Sequence, residues 1–135
     1  MDSVRITRSV LQSMLAESRR DPSLECCGLL AGSDGVISAI FPAQNVHAAP
    51  ETAYEIAPND LFRLFREIRA QGLELLGIYH SHPSGENAPS TTDIERAYYP
   101  DASYLIVSPR PDAQTPVRAF QIRNARAEEL TIDVI

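Results

Sequence analysis

A chain of 135 residues can bury one hydrophobic core but is short for two ordinary domains, so residues 1–135 are expected to form a single domain. Hydrophobic residues make up 44% and charged residues 22%, the balance of a globular protein rather than a disordered one. The formal net charge is −6 and the twelve basic residues are all Arg, which excludes nucleic-acid or acidic-membrane binding through a general basic field and any catalytic-Lys chemistry.

No apolar run approaches the roughly 20 residues a membrane span needs, and the N-terminal MDSVRITRSVLQ lacks the apolar core of a secretion signal. Cys26 and Cys27 are adjacent, so pairing them would need a strained ring. Such usage suits a reducing compartment, and the cytoplasm is the expected location.

In chain order, Val4 to Thr7 reads as a short strand, followed by a helix with Val10, Leu11, Met14 and Leu15 at helical spacing, ended by Asp21-Pro22. Cys26 to Ala31 is a compact apolar run expected as a buried strand. The turn signal Ser33-Asp34-Gly35 joins it to a returning strand, Val36 to Phe41. After a turn-prone stretch from Pro42 to Thr52, Ala53 to Ala57 reads as extended. Pro58-Asn59-Asp60 opens an amphipathic helix with Leu61, Leu64, Phe65 and Ile68 on its apolar face and Gly72 at its end. Leu73 to His80 is expected as a central strand, and a polar loop to Thr92 leads to a short helix from Asp93 to Tyr99. Strands are expected at Tyr104 to Ser108, Val117 to Ile122 and Leu130 to Ile135, with a proline-rich loop from Pro109 to Pro116. Strands and about three helices around one core give an α/β (α+β) sandwich with a mixed sheet flanked by helices.

The chemistry concentrates in His80-Ser81-His82-Pro83 and Ser90-Thr91-Thr92-Asp93. Two His at i and i+2 at a strand end project to one side, so both imidazoles reach one ion. Pro83 stops the strand, and the Ser84 to Pro89 loop is able to fold back over the site. Thr91 and Thr92 are both candidate N-caps for the next helix, which would fix Asp93 in its first turn. His80, His82 and Asp93 make three protein ligands and leave a fourth position for water, the count of a catalytic rather than a closed structural zinc site. His47 has no partner nearby in sequence and reads as a surface residue. Ser81 faces away from the two His as a packing residue, and Cys26 and Cys27 read as small core residues rather than nucleophiles. Glu25, beside the apolar Cys26 to Ala31 run, has two readings: it caps a strand toward water, or it points into a pocket.

The spacing of these elements resembles the JAMM (MPN-plus) metallopeptidases, whose pattern is a remote Glu, His-Ser/Thr-His, seven residues, and Ser-x-x-Asp. Glu25, His80-Ser81-His82, Pro83 to Pro89 and Ser90-Thr91-Thr92-Asp93 match it at every element. The stretch from Glu25 to Gly32 is also similar to the segment carrying the catalytic Glu in short bacterial members, and the likeness runs from the first helix to the Tyr104 strand. The resemblance implies a JAMM/MPN-like, cytidine-deaminase-like architecture, one catalytic Zn²⁺, and Glu25 as general base. It also implies that Ser90 assists zinc in stabilising the oxyanion. The implied substrate is a ubiquitin-like sulfur carrier with a Gly-Gly tail, because the chain has little room for insertions that grip a second ubiquitin. An extended tail would pair along an edge near the Ser84 to Pro89 loop or the Val46 to Tyr54 region. Arg63, Arg66 and Arg69 are expected as a solvated helix face. Two rivals are a small-molecule zinc amidase and a non-catalytic MPN-type interaction module; the second predicts a missing ligand or Glu, and none is missing. A deaminase would need a Cys-x-x-Cys pair, absent here.

Overall fold

Alternating apolar patterns and turn signals convert into the order β1 (Ser3–Ile6), α1 (Arg8–Arg20), β2 (Cys27–Ser33), β3 (Val36–Ala43), α2 (Pro58–Ala70), β4 (Glu74–Ser81), α3 (Thr91–Glu95), β5 (Ser103–Val107), β6 (Val117–Arg123) and β7 (Arg126–Val134) in the computed structural model, which describes residues 3–135. Thr7 caps α1 by accepting a hydrogen bond from the Val10 amide at 3.3 Å. Pro58 opens α2, where its missing N–H costs nothing, and Gly72 closes that helix at φ 71°.

The strands pair in the order β1-β3-β2-β4-β5-β6-β7, and a parallel β1–β7 pairing closes the sheet on itself. The sheet is mixed: β4–β5 and β1–β3 are also parallel, and the remaining pairs are antiparallel. Val4, Leu30, Ile37, Tyr79, Leu105, Ala119 and Leu130, drawn from all seven strands, form one buried cluster with Val10 and Met14 of α1. Closure therefore encloses the face that α1 fills. Leu64 and Ile68 of α2 cover part of the opposite face, against Leu29, Ile78, Tyr104 and Ile106.

Several boundaries differ from the sequence reading for identifiable reasons. β7 begins at Arg126 rather than Leu130 because Asn124 and Ala125 adopt φ 52° and 60°, making a tight hairpin without glycine. β3 continues through Pro42 to Ala43; β1 pairs with only Val36 and Ile37 of this strand, so the missing N–H of Pro42 is not needed there. The stretch from Ala53 to Ala57, read as extended, pairs through one antiparallel bridge, Ile56 to Asn45. α3 spans Thr91–Glu95 rather than Asp93 to Tyr99. The Tyr104 hydroxyl accepts the Tyr99 amide at 3.0 Å, and Pro100 disfavours helix in the residue before it. No helix among the described residues is long and apolar enough to cross a membrane.

Candidate metal centre

The parallel β4–β5 pair requires a long crossover, and residues 82–102 make it. This crossover leaves the end of β4 and returns across it, which brings sequence-distant groups to one point. Alternation in β4 turns Tyr79 and Ser81 to one face and Ile78 and His80 to the other. His82 stays extended beyond the strand, its amide donating to the Val107 carbonyl at 2.9 Å, so both imidazoles lie on the same side as expected.

The Nδ1 of His82 lies 2.9 Å from the Glu86 carbonyl. A carbonyl only accepts, so Nδ1 carries the proton and the Nε2 lone pair of the neutral ring faces inward. The Ser84 to Pro89 loop thus folds back on the site, and Asn87 anchors it by donating to the Ile106 carbonyl at 3.2 Å and the Thr115 carbonyl at 2.9 Å. The helix cap is Ser90, not Thr91 or Thr92: its Oγ accepts the Asp93 amide at 3.0 Å, while Asp93 Oδ2 accepts the Ser90 amide at 2.9 Å. This reciprocal box aims the Asp93 carboxylate.

The result is a triangle of potential ligand atoms: His80 Nε2 and His82 Nε2 are 3.1 Å apart, and Asp93 Oδ2 lies 3.2 Å from the first and 3.1 Å from the second. Burial pushes His80 toward its neutral form. Burial also works against charge on His82, but Asp93 and the Glu86 carbonyl outweigh it and raise that pKa. Burial opposes ionisation of Asp93 as well, yet its bonds to His80, His82 and the Ser90 amide hold the carboxyl well below the usual range. Asp93 is therefore a carboxylate at neutral pH, the form that ligates. Two imidazole nitrogens and one carboxylate oxygen at this separation suit a divalent ion about 2.0–2.1 Å from each, and this donor set fits zinc.

Glu25 precedes β2 and is 5% exposed, with Oε1 buried and without a hydrogen-bond partner among the described residues. Desolvation pushes its pKa up to about 7; the His82 charge opposes this and Asp93 adds to it, so the carboxyl faces the triangle electrostatically. Of the two sequence readings, burial rules out a cap facing water. The Glu25 backbone is held at both ends, the amide donating to the Pro50 carbonyl at 2.8 Å and the carbonyl accepting from Asn45 Nδ2 at 3.0 Å. Ser81, buried as expected, also bonds: its Oγ accepts the Cys26 amide at 2.8 Å and its own amide donates to the Cys26 carbonyl at 3.0 Å. The residue between the two His thus ties β4 to the peptide that carries Glu25.

Sequence reasoning missed Tyr54, whose ring stacks on His80 with centroids 4.5 Å apart and planes at 23°. Its only local signal was an aromatic residue in a turn-rich stretch. Tyr54, Ile56, Leu61, Ile78, Tyr99 and Tyr104 line a cleft of about 260 Å³ that reaches Asp93. His47 lies outside the triangle and accepts the Ala49 amide on Nδ1 at 2.9 Å, a turn contact. The Cys26 and Cys27 thiols are free, and burial pushes their pKa values to about 11 and about 12, which suppresses the nucleophilic thiolate. Arg63, Arg66 and Arg69 are exposed on α2, Arg63 pairing with Glu67 at 2.9 Å.

Residues 7–123 match the family of prokaryotic homologs of the JAB domain. The chain belongs to this family. Among its JAB relatives, the protein named desampylase from Haloferax volcanii is 40% identical over 103 residues, covering 75% of this chain and 74% of that one. The CysO-cysteine peptidase of Mycobacterium tuberculosis is 31% identical over 132 residues, covering 96% of this chain and 90% of that one. The solution structure of protein DSY2949 from Desulfitobacterium hafniense is similar to this chain, with a TM-score of 0.86, 29% identity, and coverage of 98% of this chain and 92% of that one.

Proposed function

We propose that the chain is a zinc-dependent peptidase that hydrolyses the amide bond after the C-terminal Gly-Gly of a ubiquitin-like sulfur carrier. His80, His82 and Asp93 hold the ion and Glu25 is the general base. The observation that carries this reading is the convergence of three potential ligand atoms within 3.1–3.2 Å of one another, together with the buried Glu25, whose Oε1 has no hydrogen-bond partner among the described residues and whose carboxyl feels the charges of His82 and Asp93.

Zinc held there supplies Lewis-acid activation of water and of the scissile carbonyl. The residues do the rest. Glu86 fixes the His82 ring through its carbonyl, and the Ser90 amide fixes Asp93 Oδ2, so the ligand atoms need no reorganisation. Glu25, with a pKa near 7, accepts a proton from water at neutral pH and returns it to the leaving amine. The Ser90 Oγ already accepts the Asp93 amide, which leaves its own proton to donate to the developing oxyanion. The cleft beside Asp93 receives substrate residues flanking the scissile bond. The carrier assignment draws on the relatives named desampylase and CysO-cysteine peptidase. Glycines at the bond suit it further, since a residue without Cβ approaches a crowded site closely. Free, adjacent Cys26 and Cys27 accord with work in the cytoplasm.

The test is cleavage of a ubiquitin-fold carrier ending in Gly-Gly, fused to a short peptide, run beside simple amides. Cleavage after the second glycine is expected, and Glu25→Gln should retain zinc while turnover falls by roughly 10²–10⁴. Near-normal turnover of Glu25→Gln would remove Glu25 from the mechanism, and hydrolysis confined to simple amides would replace the carrier reading with a small-molecule amidase.

A further inference from the structure

Four hydrogen bonds converge on the side chain of Asn45. Its Nδ2 donates to the Glu25 carbonyl and to the Ala53 carbonyl, each at 3.0 Å. Its Oδ1 accepts the His47 amide at 3.0 Å and the Glu55 amide at 3.1 Å. Two carbonyls on one side and two amides on the other leave a single way round for the carboxamide, and they use both of its donors and both acceptor sites. The four partners come from three places: the peptide that carries Glu25, the turn after Asn45, and the residues on either side of Tyr54.

That last placement matters. Tyr54 lies between Ala53 and Glu55, both held by Asn45, and its ring stacks on His80. Ala53, Tyr54, Glu55 and Ile56 form one wall of the cleft that reaches Asp93. The same segment grips Glu25 a second time, through the Pro50 carbonyl. Residues 45–55 therefore hold the backbone of Glu25 at one end and the ring on His80 at the other, and one side chain spans both.

We propose that Asn45 is the positioning residue that sets Glu25 and Tyr54 in a single frame, so that the acid, the face of His80 and the cleft wall keep fixed relative places. The part concerning turnover rests on the hydrolytic reading above; the geometric part stands on the hydrogen bonds alone. A carboxamide is required because its work is divided. An aspartate at this position keeps an oxygen for the two amides but turns a second oxygen toward two carbonyls, which repels both.

The test compares Asn45→Asp with wild type and with Tyr54→Ala, by NMR of the histidine rings in protein supplied with one equivalent of zinc. Three histidines make the ring protons resolvable, and stacking under Tyr54 shifts those of His80 upfield. In Asn45→Asp the His80 resonances should move toward their Tyr54→Ala positions, and kcat on the Gly-Gly fusion should fall at least tenfold. A residue that merely stabilised the fold would lower the melting temperature without moving those lines. Wild-type His80 resonances in folded Asn45→Asp would overturn the inference. Wild type offers an independent check if the variant does not fold: both Asn45 Nδ2 protons should exchange slowly with solvent, and rapid exchange of both would overturn it equally. A wild-type protein that cleaves no fusion would defeat the hydrolytic reading, while the resonance comparison still decides on Asn45.

Discussion

Glu25 is an acid placed where its charge is costly, and that cost is measurable. Desolvation raises its pKa from 4.5 to about 7 in the folded chain. A group with a raised folded pKa lends stability that is complete below the unfolded value and is lost as pH rises through the folded one. Metal-free protein should therefore lose on the order of 2–3 kcal/mol from this residue between about pH 4.5 and pH 7. Urea denaturation of chelator-treated wild type and Glu25→Gln at pH 5 and pH 8 isolates the effect. The variant should gain stability relative to wild type at pH 8, and a difference independent of pH would show that Glu25 is not desolvated. At this scale the convergence of His80, His82 and Asp93 was legible because they carry a short, fixed spacing. Asn45 and Tyr54 were not, because their roles arise from contacts with Glu25 and His80, about twenty or more residues away in sequence.

The helices and strands carry the site through small local devices. Ser90 and Asp93 cap each other at the start of α3, so one residue both closes the helix through its hydroxyl and aims the proposed ligand Asp93 through its amide. Ser90→Ala should cost roughly 1 kcal/mol of stability and lower zinc affinity by about 10–100-fold, read by chelator competition; unchanged affinity would mean that Asp93 needs no aiming. In β2, a Cβ on Gly28 would lie 2.6 Å from the Phe41 carbonyl and 2.6 Å from the Tyr79 ring. The ring has no room to retreat, since Tyr79 is buried in the enclosed core and its hydroxyl donates to Glu17 on α1. Gly28→Ala should therefore destabilise by about 1–3 kcal/mol through overpacking, measured by thermal or urea melts. Most of these elements were legible from periodicity and from Asp34-Gly35, Pro58 and Gly72. The β6–β7 hairpin was not, because Asn124-Ala125 makes its turn at positive φ without the glycine that advertises one.

At the scale of the whole molecule, a mixed sheet with flanking helices followed from the pattern of elements, but its closure did not. The pairing of Ser3–Ile6 with Thr131–Val134 joins the two ends of the described chain, and no local pattern specifies that register. Closure encloses the sheet face against which Val10 and Met14 of α1 pack, and the β4–β5 crossover carries Asp93 back to the end of β4. The fold thus converges three groups whose relative positions an unfolded chain leaves free, so binding of the proposed ion would be coupled to folding. The most direct test of the account is calorimetric titration of zinc into chelator-stripped protein, with His82→Ala in parallel. Wild type should bind one equivalent and the variant none. Wild type that takes up no zinc, or a variant that binds as wild type does, would contradict it.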